Sequence, residues 1–152
     1  MTQTNLLPKD WREFFELLNV NNVEYLVVGG FAVAFHGRPR YTDDIDLLFR
    51  STPENAQRLE STIRQFGFGS LGITNQDLQT PDQIIQLGYP PNRIDLINSI
   101  SGVASEEAWA SRVAGDLDGI PVFFISKEAL IRNKRASGRT KDLADLDSLG
   151  AS

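Results

Sequence analysis

Apolar and polar positions alternate between two periods along the chain, and the changes of period mark its elements. Trp11, Phe14, Phe15, Leu17 and Leu18 recur at helical spacing behind Pro8, which predicts an amphipathic helix over about Lys9 to Val20 that packs on a core. Asn21 and Asn22 break it, and a continuous apolar run at Tyr25–Val28 predicts a strand. Gly29 and Gly30 turn the chain into a short apolar segment, Phe31 to Phe35, that Gly37 ends. A basic loop, Arg38 to Thr42, leads to a second strand at Asp44–Phe49. Ser51 to Asn55 (STPEN) reads as a cap with proline in the first turn of a helix that runs to about Phe66, where Gly67 and Gly69 stop it.

Residues 70–80 are polar and read as loop with one short helical turn. Gln83–Leu87 and Arg93–Ile97 flank a Gly-Tyr-Pro-Pro-Asn turn and predict a strand pair. Ser105 to Arg112 reads as a serine-capped short helix, and Asp118-Gly119 as a hairpin turn into a last strand, Ile120 to Ile125. Ser126 caps a helix from Lys127 to about Ser137, and Thr140 restarts one that reaches Leu149 after Gly138 interrupts. This order predicts an α+β domain, α/β-like in places, with a mixed sheet flanked by helices. At 152 residues and 41% hydrophobic composition, a single domain over 1–152 is expected, its core spanning about 8–149.

One strand breaks the apolar pattern in a way that points to chemistry. Asp44 and Asp46, at i and i+2, share a face while Ile45 and Leu47 take the other. Two adjacent carboxylates repel each other, and a divalent cation relieves the repulsion; an oxygen-only donor set favours a hard ion such as Mg²⁺. Taken alone, the pair would also suit a charged edge strand kept soluble. The upstream Gly29-Gly30 turn opens a helix whose free N–H groups can hold an anion, which tips the reading toward a site. Asp95 is the lone acid between Ile94 and Leu96, and a charge inside a buried strand is costly unless it is paired or bound to a metal. It is a candidate third carboxylate; the other reading is a salt bridge to Arg93 or to a neighbouring strand.

Charge and composition narrow the chemistry further. The net charge of −5 argues against bulk coating of nucleic acid, so no bulk DNA binding is expected. With no cysteine and a single histidine, His36, thiol catalysis and thiolate or multi-histidine zinc sites are excluded. His36 is read as a capping or packing residue. No apolar run approaches membrane-spanning length and the first residues lack a secretory pattern, so a cytoplasmic protein with no membrane partner is expected. Within this acidic chain Lys127, Arg132, Lys134, Arg135, Arg139 and Lys141 fall close together; some belong to a solvated helix face, while Lys127, Lys134 and Lys141 recur every seven residues and can face one way with Arg135.

Val28-Gly29-Gly30-Phe31-Ala32, then Arg38, Arg40 and Thr42, then Asp44-Ile45-Asp46-Leu47, and later Ile94-Asp95-Leu96, resemble the nucleotidyltransferase fold of the DNA polymerase β superfamily. The tail from Leu130 to Leu146 resembles the closing motif of its small bacterial abortive-infection-toxin-like branch. The resemblance implies that Asp44, Asp46 and Asp95 are catalytic and hold two Mg²⁺ ions with bound NTP, Asp95 also helping to deprotonate an attacking hydroxyl. It implies that Gly29 and Gly30 hold the triphosphate, with Arg38, Arg40, Thr42, Lys134 and Lys141 as further phosphate or nucleotide contacts and Asp142 in support. For Thr42, orienting the start of the strand is the alternative role. Many members carry serine where this chain has Gly30, so backbone N–H groups must replace a hydroxyl contact.

The expected activity is transfer of an NMP group from an NTP to a hydroxyl on protein, RNA or a small molecule, in a toxin–antitoxin or phage-defence setting with a toxin or antitoxin partner. Such chemistry needs neither cysteine nor histidine. The alternative is an inactive nucleotide- or partner-binding module, an antitoxin or regulator on the same fold. An antibiotic nucleotidyltransferase ranks below both, because such enzymes usually add a substrate-binding domain.

Overall fold

A computed structural model describes residues 7–39 and 42–151. They form a mixed six-stranded sheet with seven α-helices. Helix α1 (Lys9–Val20) buries Trp11, Phe14, Phe15 and Leu18, the stripe its periodicity predicts. The Trp11 indole N–H donates to the Asn92 carbonyl at 2.8 Å, tying the helix to the turn just before Arg93. Strand β1 (Tyr25–Val28) is buried throughout, as a continuous apolar run in a central strand must be. Helix α2 (Gly29–His36) follows without a spacer, and β2 (Asp44–Phe49) after it.

The Thr52 hydroxyl accepts from the Asn55 N–H to start α3 (Pro53–Ile63), with Pro53 in the first turn. The helix gives way at Arg64–Phe68 to a wider turn in which Gly67 takes φ 104°, so it ends slightly earlier than the apolar pattern suggests. The polar stretch that follows holds one short helix, α4 (Asn75–Gln79), opened by a capping box between Thr74 and Asp77. Strands β3 (Ile84–Leu87) and β4 (Arg93–Ile97) form the expected antiparallel pair.

Helix α5 (Ser105–Ala110) starts without the serine cap that the sequence suggests: Ser105 lies inside it, and its hydroxyl donates to the Asn98 carbonyl at 2.9 Å. Strand β5 (Val113–Leu117) is an element the apolar pattern does not announce. Its exposed Val113, Ala114 and Asp116 lack the alternation of a half-buried strand, because it lies at the sheet edge paired only with β6 (Ile120–Phe124). The turn joining them carries Asp118 and Gly119 at positive φ, the geometry that favours this dipeptide. Ser126 accepts from the Ala129 N–H and opens α6 (Lys127–Ser137); Gly138 ends it at positive φ, and α7 (Thr140–Ser148) follows.

The strand order is β3-β4-β2-β1-β6-β5. Strands β2 and β4 run parallel, as do β1 and β6, while β1 and β2 are antiparallel. No helix among the described residues is long and apolar enough to cross a membrane.

Candidate active site

The site is assembled by strand register. Parallel pairing of β2 with β4 sets Asp44 opposite Arg93 and Asp46 opposite Asp95. Because Asp44 and Asp46, like Arg93 and Asp95, are two residues apart on a strand, all four side chains rise from one face as a square. Ile45 and Ile94, between them, point the other way and are buried. Antiparallel pairing of β1 with β2 places Val28 opposite Asp46, so the chain turns into α2 directly beside that carboxylate. Gly29 makes the turn at φ 67°, and a Cβ there would overlap the Asp46 carboxylate. A side chain is excluded at Gly29 both by backbone conformation and by space.

Oxygens of Asp44, Asp46 and Asp95 come within 4.8 Å of one another, and the sheet thus brings together the three carboxylates singled out from the sequence. Burial, followed by the charges of Asp44 and Asp95 and a hydrogen bond with Asp95, pushes the Asp46 carboxyl up to about 7, against the opposing influence of Lys134. Carboxylates this crowded, with oxygen as the only donor, fit a hard divalent cation. In the present arrangement Asp44 and Asp95 are paired, among the described residues, with Arg93. Its Nη2 donates to Asp44 Oδ2 at 2.6 Å and to Asp95 Oδ2 at 2.9 Å, and its Nε donates to Asp95 Oδ1 at 2.7 Å. Both readings of Asp95 thus meet in one place: it pairs with Arg93 and it faces Asp44 and Asp46.

The square lies in a cleft of about 1140 Å³. Gly29 and Gly30, at the N-terminus of α2, line it, as do Asn133, Lys134, Arg139 and Lys141 from α6, α7 and the link between them. Lys134 is only 4% exposed, with Nζ 3.0 Å from Asp145 Oδ2 and 3.3 Å from Asp142 Oδ1. Burial alone would raise the Asp142 carboxyl, but hydrogen bonds from the Arg139 side chain and backbone, with Lys134 adding its charge, hold it below the usual range.

The other candidates separate. The Thr42 hydroxyl lies 3.0 Å from the Asp44 carbonyl oxygen and 3.1 Å from Asp44 Oδ1, and accepts from the Asp44 N–H at 3.4 Å, so it braces the start of β2 at the rim of the cleft. Arg38 pairs with Asp147 of α7 at 2.9 Å and is not among the residues lining the cleft. Arg40 lies outside the described residues. Of the seven-residue lysine series, Lys134 and Lys141 line the cleft and Lys127 does not; Arg135 donates to the Ala151 carbonyl instead. His36 packs as expected, its Nε2 2.7 Å from the Ile125 carbonyl.

Two charged residues that pair with the candidates, Arg93 and Asp145, were not among the sequence candidates for the site. Arg93 could have been found by its strand spacing, since a residue two before Asp95 must share its face. Asp145, three residues after Asp142, required knowing that α7 folds back on α6, whereas Arg139 of the basic cluster joins through its local pair with Asp142.

No family model matches the chain, and no curated protein is significantly similar to it in sequence. Solved structures do match. A provisionally assigned nucleotidyltransferase from Thermotoga maritima superposes with a TM-score of 0.59 at 14% identity, over 97% of this chain and 96% of that one. The antibiotic-resistance factor ANT(2'')-Ia superposes with a TM-score of 0.58 at 20% identity, over 92% of this chain and 80% of that one. The lincosamide antibiotic adenylyltransferase LnuA, with lincomycin bound, superposes with a TM-score of 0.55 at 18% identity, over 97% of this chain and 98% of that one. At these identities the likeness carries the architecture: this chain has the nucleotidyltransferase fold.

Proposed function

We propose that the protein is a Mg²⁺-dependent nucleotidyltransferase that moves an NMP group from an NTP to a hydroxyl. The observation that carries this reading is the convergence of Asp44, Asp46 and Asp95 beside the Gly29 turn. The three carboxylates are the residues that would hold the metal. Mg²⁺ bound there supplies positive charge to the phosphates and to the departing pyrophosphate.

The chain's own groups do the rest. The N–H groups of Gly29 and Gly30 at the start of α2 bind phosphate oxygens. Lys134, held by Asp142 and Asp145, carries its ammonium to the cleft wall as a fixed cation, and Lys141 adds an exposed one at the rim. Asp95 accepts the proton of the acceptor hydroxyl as its oxygen bonds to the α-phosphorus and the bond to the bridging oxygen breaks.

A small-molecule acceptor is the best supported. Single-domain length does not stand against it, because LnuA, matched over 98% of its chain, binds lincomycin at this size. That removes the ground for ranking an antibiotic-type enzyme last. The toxin–antitoxin setting rests on the resemblance of Leu130 to Leu146 alone. The test is to incubate the protein with NTP labelled at the α-phosphate, Mg²⁺ and a panel of hydroxylated small molecules, RNA and protein. Label should pass to an acceptor with wild type and not with Asp46→Asn; transfer that persists in the variant removes the metal mechanism.

The alternative, a binding module without turnover, is favoured by one observation: Arg93 already pairs with both Asp44 and Asp95. Mg²⁺-dependent NTP binding by calorimetry, with transfer to no acceptor, supports it.

A further inference from the structure

Arg93 occupies an unusual position for a structural ion pair. It opens β4 directly opposite Asp44 in register and two residues before Asp95, so its guanidinium lies between two of the three carboxylates proposed to hold metal. Three hydrogen bonds of 2.6–2.9 Å take up one oxygen of Asp44 and both of Asp95. A divalent ion draws on the same carboxylate oxygens, and a guanidinium and a metal ion repel each other, so the two compete for Asp44 and Asp95. The arginine is not walled in. Its side chain is 24% exposed and borders the cleft that Gly29, Gly30, Lys134 and Lys141 also line, where the paired oxygens of a bound polyphosphate would match the two-pronged donors of a planar guanidinium.

We propose that Arg93 is a displaceable counter-cation: it holds Asp44 and Asp95 together in the metal-free protein, yields them when a divalent ion loads, and transfers its hydrogen bonds to the nucleotide phosphates. This rests on the metal reading of the triad. It assigns Arg93 a positioning role before metal binding and a phosphate contact after it. One consequence is that metal alone binds weakly, because the ion must break three charge-assisted hydrogen bonds. Metal with nucleotide binds better, because the arginine regains partners.

The test is calorimetric titration of wild type, Arg93→Ala and Arg93→Lys with Mg²⁺ alone, then with a non-hydrolysable NTP at saturating Mg²⁺. Removing the competing charge should tighten Mg²⁺ binding on the order of ten-fold in Arg93→Ala, with a smaller gain in Arg93→Lys. At saturating Mg²⁺ the same Arg93→Ala variant should bind the nucleotide analogue about ten-fold more weakly. Should Arg93→Ala unfold, the wild type still decides: the Arg93 Nε–H resonance, assigned by its loss in Arg93→Lys, should shift on Mg²⁺ titration. Unchanged or weaker Mg²⁺ binding in Arg93→Ala, unchanged nucleotide affinity, or an Nε–H resonance indifferent to Mg²⁺ overturns this role while leaving the metal site standing. No Mg²⁺ binding by wild type or either variant overturns the metal reading and this inference with it.

Discussion

Gly29 and Asp46 stand so close that a methyl group on the glycine would occupy the space of the carboxylate. The contact follows from register, since Val28 is the partner of Asp46 across β1 and β2 and the next residue must turn over it. The turn proposed to bind phosphate and the carboxylate proposed to hold metal are thereby held side by side, as transfer at a metal-bound triphosphate would require.

Gly29→Ala therefore should do more than strain the backbone. Gly72 has nearly the same φ, 69° against 67°, with nothing near its Cβ position. Gly72→Ala is expected to lose roughly 1–2 kcal/mol, the cost of a left-handed backbone for an L residue. Gly29→Ala should lose that and a further increment from overlap with Asp46, and it alone should weaken Mg²⁺ binding. Urea unfolding and calorimetry on both variants check the difference.

Stability should depend on pH through Asp46. Its carboxyl is pushed up to about 7 in the fold from an ordinary 3.8, so between those values the folded protein holds a proton that the unfolded chain has released. The contribution is fully present below about pH 4 and is lost as pH rises through 7. Solvent at a half-buried site limits it to roughly 1–2 kcal/mol. In EDTA, Asp46→Asn should flatten this part of the pH profile and be more stable than wild type at pH 8. Adding Mg²⁺ should stabilise wild type increasingly from pH 6 to pH 8, because ion and proton compete, and should leave Asp46→Asn nearly unaffected. Denaturation midpoints at each pH provide the measurement.

Lys134 with Asp142 and Asp145 forms a buried charged cluster, and removing one member leaves the others poorly compensated. Lys134→Met should destabilise by about 3 kcal/mol, near the lower end for a broken buried pair. The double variant Lys134→Met with Asp145→Asn should recover part of that loss. If the double variant is no better than the single, the cluster is not a coupled unit. A double-mutant cycle by chemical denaturation reads the coupling directly.

Arg38 should matter little. It and Asp147 are 68% and 71% exposed, which places their pair among surface salt bridges. Arg38→Ala is expected to change stability by less than about 0.5 kcal/mol and to leave NTP affinity within about two-fold. A large loss of nucleotide binding would show that this side chain leaves Asp147 to join the cleft.

The helices and most strands were legible because their signals are local. Trp11, Phe14, Phe15 and Leu18 repeat with the helical period, Asp118-Gly119 carries its own turn geometry, and Ser126 caps the helix it precedes. Strand β5 was not legible, since an exposed edge strand buries too little to impose alternation. Asp44 and Asp46 on one face, and a glycine turn upstream, also follow from spacing alone. That Asp95 meets them does not: it depends on which strands pair and in what register, a choice made by the core packed beneath them. The same holds for Arg93 across from Asp44, for Lys134 between the acids of α7, and for Arg38 on Asp147 outside the cleft. Sequence alone determined the chemistry available and the short-range geometry of each piece. Only the tertiary structure decided which charges face each other, because electrostatic partners far apart in the chain are chosen by how the hydrophobic core closes.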